Sequence, residues 1–232
     1  MNYANNIKIG ITGDYPPLTA FDENTGEYQG FDIDMAHNLG KFLHKKIIFV
    51  KTTWPSLGED LQAHQFDIAM GGIAITKERA QQFIFSKPVL VDEKVAVFNC
   101  ENQSKYQSLS DIDQPHVKVI ENPGGTNERF ARQQLPKADI RIFADNTTIF
   151  SQLLNHQADV MITDAIEAGY QQKLHPELCV LHFPHETEQE RKAYMLRPED
   201  QQLLAEVNAW INQIEANRVL DEIKSKWLWL SS

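Results

Sequence analysis

Asp159-Val-Met-Ile-Thr-Asp-Ala-Ile-Glu-Ala-Gly-Tyr170 runs from a short apolar segment, Val160 to Ile162, through a Thr-Asp pair into residues with helical spacing. Thr163 and Asp164 are residues that favour a helix start, so the stretch reads as a strand handing an acidic cap to a helix. Open α/β sheets place ligands just beyond the carboxyl ends of their strands. The stretch therefore predicts both an α/β fold and a ligand site at this turn. Asp164 and Glu167 lie three residues apart, so both project from the first helical turn on neighbouring faces. An isolated glutamate there is favoured by the helix dipole alone. Two carboxylates at a ligand mouth call for a chemical reason.

The same alternation repeats on either side. Strands are expected at 7–11, 47–50, 66–70, 93–98, 116–120, 139–143 and 192–196. Helices are expected through Met35, Leu39 and Phe42, after Thr53 as cap, through Phe130 and Leu135, and over 146–154. The tail from Leu203 to Leu230 repeats apolar residues at helical spacing, from Leu204 through Trp210 and Ile214 to Trp227, with Trp227 and Trp229 read as packing residues. The polar segment 99–110 and the strand at 192–196 mark two chain crossings. Two α/β sandwich lobes joined by two hinge crossings follow: 1–97 with 192–232, and 98–191, with the ligand cleft between them.

A chain of 232 residues can bury a sizeable core, and 42% apolar with 23% charged residues is ordinary for a folded protein. The formal net charge of -10 leaves no basic stripe to neutralise phosphates, which argues against a nucleic-acid partner. No apolar run approaches the ~20 residues of a membrane-spanning helix. The first residues lack the basic start and apolar centre of a signal peptide, which suits a cytosolic chain or the mature form of an exported one. Cys100 and Cys179 are too far apart for a Cys-x-x-Cys motif. They read as two buried thiols or, in an oxidising compartment, as one disulfide.

Three loops that follow strands are candidate ligand loops. Thr12-Gly-Asp-Tyr-Pro-Pro17 presents an aromatic on a stiff backbone. Gly71-Gly-Ile-Ala-Ile-Thr-Lys-Glu-Arg79 combines close backbone approach at its glycines with a guanidinium able to grip a carboxylate bidentately. Asn122-Pro-Gly-Gly-Thr-Asn-Glu128 feeds a helix N-terminus, an anion site in principle. It lacks the Gly-Lys-Ser/Thr ending of a nucleotide loop.

Gly30-Phe-Asp-Ile-Asp-Met-Ala36, Phe66-Asp-Ile-Ala-Met70, Ile75-Thr76 with Arg79, Gly124-Gly-Thr126 and Ala158-Asp-Val-Met-Ile-Thr-Asp164 together resemble the polar-amino-acid branch of the periplasmic solute-binding proteins. That resemblance implies Arg79 for a ligand α-carboxylate, assisted by Thr126, and Asp164 for an α-amino group. Thr12-Gly-Asp-Tyr15, Thr53-Trp-Pro55, Asp113-Gln-Pro115, Asn122 to Glu128, Thr163-Asp-Ala-Ile-Glu-Ala168 and Leu174-His-Pro-Glu-Leu-Cys179 are similar to one catalytic offshoot, the cyclohexadienyl dehydratases. These convert prephenate to phenylpyruvate, or arogenate to phenylalanine. The resemblance implies Glu167 as the general acid, with Asp14, Tyr15, Trp54, Gly72, Thr76, Arg79, Lys94, Thr126, Asn127 and Asp164 binding substrate and Lys192 a further cation. It implies no metal or organic cofactor, a small anionic substrate, a periplasmic location, and cysteines matching Cys100 and Cys179. Gly71 and Ala74 depart from the family, which carries hydroxyl residues there. The competing expectation is a non-enzymatic amino-acid-binding component of an ABC transporter, for which a basic ligand would account for Glu167.

Overall fold

Apolar strands alternating with amphipathic helices fold this chain into two α/β units. The computed structural model describes residues 5–183 and 189–228. Trp229 and Leu230, part of the predicted tail, lie outside them. One unit comprises Met1–Val91 with Arg191–Ser232, the other Asp92–Glu190.

In the first unit the sheet order is Lys46–Lys51, Asn6–Ile11, Ile68–Ala69, Met195–Leu196, Ile84–Phe85. The first three strands run parallel, with Asn6 opposite Lys46 and Ile9 opposite Ile68. Met195–Leu196 enters antiparallel to both its neighbours. Ile7, Ile9 and Ile11 are buried, as a parallel strand covered by helices requires. Helix Phe31–Leu43 starts at Gly30, whose φ is +136° and where a Cβ would lie 2.3 Å from the Leu18 carbonyl oxygen. Only glycine fits that entry. The C-terminal helices Gln201–Ala216 and Val219–Trp227 close this unit, with Trp210 fully buried, its Nε1 donating to Asn38 Oδ1 at 2.8 Å. The tail is therefore two helices instead of the one its spacing suggested. Arg218 takes a left-handed φ of 65° at the break, which falls in the gap between Ile214 and Leu220.

The second unit's sheet runs Asp139–Ile142, Lys118–Glu121, Val160–Asp164, Lys94–Asn99, Leu178–His182. The first three are parallel and Lys94–Asn99 is antiparallel to both of its neighbours. Two-residue periodicity divides the core cleanly. Val95, Val97 and Met161 pack on one face with Ile149, Phe150 and Leu153, while Ala96, Phe98, Val160 and Ile162 pack on the other with Val119 and Ala131. The crossing predicted after residue 97 cuts through Lys94–Asn99, a fully buried strand of this sheet. The division falls before it, at Val91/Asp92, and returns at Glu190/Arg191. The polar segment at 99–110 misled because it is a surface turn and short helix, Leu109–Ile112, within the second unit.

Candidate functional site

Within the second unit, Lys94 is the first residue of its strand and Asp164 the last of the neighbouring one, and the register sets them directly opposite. Antiparallel partners project on the same face, so the two side chains meet. Lys94 Nζ donates to Asp164 Oδ1 at 2.6 Å, to Asn127 Oδ1 at 2.7 Å and to Thr126 Oγ1 at 2.8 Å. Glu190 Oε2 lies 3.3 Å away as a second anion. An ammonium has three protons, and all three are taken by these oxygens. The lysine side chain is 2% exposed. Thr126 and Asn127 reach it because Gly124-Gly125 turns the chain from strand Lys118–Glu121 straight into helix Thr126–Gln134.

Glu167 stands in the first turn of helix Ala165–Leu174 and is 5% exposed. Thr163 Oγ1 donates to its Oε2 at 2.5 Å, and Asn127 Nδ2 donates in turn to Thr163 Oγ1 at 3.4 Å. The expected cap, Asp164, occupies the cap position but makes no side-chain hydrogen bond to the helix, because its carboxylate is drawn to Lys94. Asp92 supplies the missing acceptor: its Oδ1 takes the N–H of Ile166 at 3.2 Å, while the Glu93 carbonyl takes that of Ala165 at 2.9 Å. Thr53 departs from its predicted role in the same way. It accepts from the Ser56 N–H at 3.3 Å, one turn before helix Leu57–Gln62, where Ser56 holds the cap position.

A third carboxyl lies behind this pair. Glu121 ends strand Lys118–Glu121, is 0% exposed, and its Oε1 accepts from Ile162 N–H at 2.8 Å. The strands separate beyond the Val119–Val160 pair, and the side chain takes over the amide the ladder leaves unpaired. Burial holds Glu121 well above the ordinary value of 4.5, opposed by the Ile162 amide and Lys94 and reinforced by Glu128 and Glu167. A protonated carboxyl is the form such a site favours.

In the first unit, Tyr15 is 5% exposed and meets Trp54 edge to face at 5.7 Å. Lys192 Nζ reaches the Tyr15 hydroxyl at 3.4 Å and the Gly72 carbonyl at 3.3 Å. A Cβ on Gly72, whose φ is +69°, would lie 2.5 Å from Tyr15 and Leu18 atoms. The Gly72 N–H donates to Asp32 Oδ2 at 2.9 Å, and Tyr194 donates to Asp32 Oδ1 at 2.9 Å. Burial pushes Asp32 up to about 7 against the lowering effects of these donors and of Lys192. Thr76 caps the short helix Lys77–Ala80 by accepting from Arg79 N–H, and the half-buried Arg79 donates through Nη1 to the Ala74 carbonyl at 2.9 Å. Asp14 pairs with Ala20 in a small antiparallel sheet.

Five predicted residues, Lys94, Thr126, Asn127, Asp164 and Glu167, thus form one network in the second unit, while in the first Tyr15 and Gly72 meet Lys192 and Trp54 packs on Tyr15. Cys100 and Cys179 form a disulfide, resolving the two sequence alternatives. Thr163 and Glu167 at i and i+4 carried a signal for their contact. Asp92, Glu121 and Tyr194 act across strands or from distant positions and carried none. Among the described residues no cluster of His, Cys, Asp or Glu is arranged to hold a metal ion, and no helix is long and apolar enough to cross a membrane.

The chain folds as two α/β units, each with candidate ligand loops at its strand ends. Residues 7–229 match bacterial extracellular solute-binding proteins, family 3, and the chain belongs to that family. Cyclohexadienyl dehydratase of Pseudomonas aeruginosa is 44% identical over 222 residues, covering 96% of this chain and 82% of that protein. ABC transporter arginine-binding protein 1 of Escherichia coli is 25% identical over 227 residues, covering 97% and 91%. The crystal structure of the ancestral amino acid-binding protein AncCDT-1, a precursor of cyclohexadienyl dehydratase, superposes with a TM-score of 0.91 at 36% identity, covering 97% of this chain and 96% of that one.

Proposed function

We propose that this chain is a dehydratase converting prephenate to phenylpyruvate, or arogenate to phenylalanine, with Glu167 as the proton donor. The observation that carries the reading is Glu167 itself: a carboxyl 5% exposed, oriented by Thr163 and linked through Thr163 and Asn127 to the Lys94–Asp164 pair. The 44% identical dehydratase supports it. In the reaction the ring C–O bond breaks with its electron pair on oxygen, and that oxygen takes the Glu167 proton and leaves as water. The ring carboxylate departs as carbon dioxide, and the electrons of its C–C bond complete the aromatic ring. Solvent then reprotonates Glu167. A placed proton donor contributes ~10²–10⁴-fold to such a step. Arg79 recognises a substrate carboxylate, with Gly72 and Thr76 on its own loop and Asp14 on the loop that carries Tyr15, and Tyr15 and Trp54 flank the ring. The disulfide suits the oxidising periplasm, the location this reading assigns.

The test is phenylpyruvate formation from prephenate by purified protein near neutral pH, read as the product enolate after adding alkali. Turnover well above the spontaneous rate is expected. Folded protein without turnover overturns the reading. The arginine-binding relative favours one alternative, an amino-acid receptor. That reading requires tight binding of a basic amino acid and no turnover.

A further inference from the structure

The backbone of Gly72 is gripped on both of its polar groups. Its N–H donates to Asp32 Oδ2 at 2.9 Å, and Asp32 Oδ1 meets the Tyr194 hydroxyl at 2.9 Å. Its carbonyl accepts from Lys192 Nζ at 3.3 Å. Lys192 and Tyr194 are two residues apart, so one short segment reaches the carbonyl directly and the N–H through Asp32. Beyond Gly72 the loop is strung along the same segment. Ala193 N–H donates to the Ile73 carbonyl at 3.0 Å, Ala74 bridges Lys192, and Ile75 N–H donates to the Arg191 carbonyl at 2.9 Å. Arg79 Nη1 then donates to the Ala74 carbonyl at 2.9 Å. A run of hydrogen bonds therefore leads from the Asp32 carboxyl to the Arg79 guanidinium.

A carboxyl is an expensive group for this task. Asp32 is buried, and an amide would accept the same N–H without placing an ionisable group out of water. What the carboxyl adds is a charge that comes and goes with pH. Tyr194 stays a neutral hydroxyl, since burial and Asp32 hold it well above its usual 10. Lys192 and the Gly72 N–H are the other groups acting on Asp32, while Asp34 of the same helix accepts from Lys226 and Trp227. Ionised Asp32 sets a negative charge against Lys192 and lowers the positive potential at the loop. Both forms keep the contacts, because the Tyr194 hydroxyl donates to a carboxylate and accepts from a carboxylic acid. The charge changes while the geometry holds.

We infer that Asp32 is a positioning residue for carboxylate recognition: it clamps Gly72 in the loop that carries Arg79, and its proton strengthens the binding of an anion there. The inference rests on the reading of Arg79 as the partner of a substrate carboxylate. A bound anion repels ionised Asp32 and favours its protonated form, so binding takes up a proton. Affinity is greatest below about 7, where Asp32 already holds its proton, and weakens as pH rises through that value.

The test compares the whole wild-type chain with Asp32→Asn, which can keep both bonds and does not titrate. Gly72 and Gly125 are the two glycines preceded by glycine. Protein made with glycine carrying carbon-13 at the carbonyl and nitrogen-15 at the amide therefore gives two signals in a carbonyl-selected NMR spectrum. One of them is expected to shift with pH around 7 in the wild type and to lose that shift in Asp32→Asn. Two signals insensitive to pH overturn the inference. With prephenate as substrate, the ratio of wild-type to variant KM is expected to rise roughly tenfold between about pH 6 and 9, the equivalent of a one-unit rise in the carboxyl's value on binding. The ratio of kcat values is expected to stay constant, which separates binding from chemistry. A KM ratio independent of pH overturns the coupling. Absence of turnover removes the dehydratase reading alone, and prephenate added to the labelled wild type then decides the matter. Its presence is expected to move the glycine midpoint to higher pH, and an unmoved midpoint overturns the inference.

Discussion

Replacing Asp32 by Asn removes a carboxyl that the fold keeps protonated, so the effect depends on pH in a calculable way. Asp32 is 1% exposed, and burial raises it from 3.8 to about 7. Below the unfolded value both states hold the proton. Between that value and about 7 only the folded chain holds it, so stability falls as pH rises, by about 1.4 kcal/mol per pH unit. Above the folded value the loss is complete. Across the roughly three pH units that separate the two values it amounts to about 4 kcal/mol. An Asn can keep both hydrogen bonds, its oxygen accepting from the Gly72 N–H and its amide donating to a rotated Tyr194 hydroxyl, but it does not titrate. Urea denaturation across the acid-to-neutral range reads this directly. Tryptophan fluorescence is a suitable probe because Trp210 stacks on Tyr194 at 6.0 Å. The stability of Asp32→Asn relative to wild type should rise by about 4 kcal/mol between acid and neutral pH. Parallel curves would refute the reasoning, since groups common to both proteins cancel in the difference.

Glu121 follows the same sign. Its raised value makes the wild type lose stability as pH climbs above 4.5, so Glu121→Gln should gain on it with rising pH, whereas Glu121→Ala strands the Ile162 N–H and loses ~1–3 kcal/mol. Equal melting temperatures for the two variants at neutral pH would contradict this. Reducing the Cys100–Cys179 bridge, which closes a separation of 79 residues, should lower stability by about 2–5 kcal/mol in urea, and an unchanged midpoint would show the bridge to be dispensable. Arg79→Lys should raise KM for prephenate roughly tenfold, because an ammonium lacks the planar fork. Unchanged KM and kcat would remove Arg79 from the site.

Most of the fold was legible because its signals are local. Apolar runs such as Val160 to Ile162 become strands buried on both faces, and Gly124-Gly125 opens a helix where a strand ends. The first crossing was misplaced because a buried strand and a polar surface turn sit side by side in sequence, and only the sheet register shows that Lys94–Asn99 belongs to the second unit. Within the site, Glu167, Asp164 and Thr126 were readable from their blocks of sequence. Their arrangement was not. Asp164 reads as a helix cap, yet pairing opposite Lys94 across two strands draws its carboxylate away, and Asp92 from another part of the chain takes over. Such exchanges depend on which strands are neighbours, which spacing along one segment does not encode.

The central claim is that Glu167 donates the proton. Glu167→Gln keeps the size and polarity of the side chain and can still accept the Thr163 hydroxyl, but it cannot supply an acidic proton. The decisive measurement compares wild type and this variant for prephenate turnover and, by calorimetry, for prephenate affinity. The account predicts that kcat falls by ~10²–10⁴-fold while affinity stays close to wild type. Near-native turnover by Glu167→Gln would contradict it.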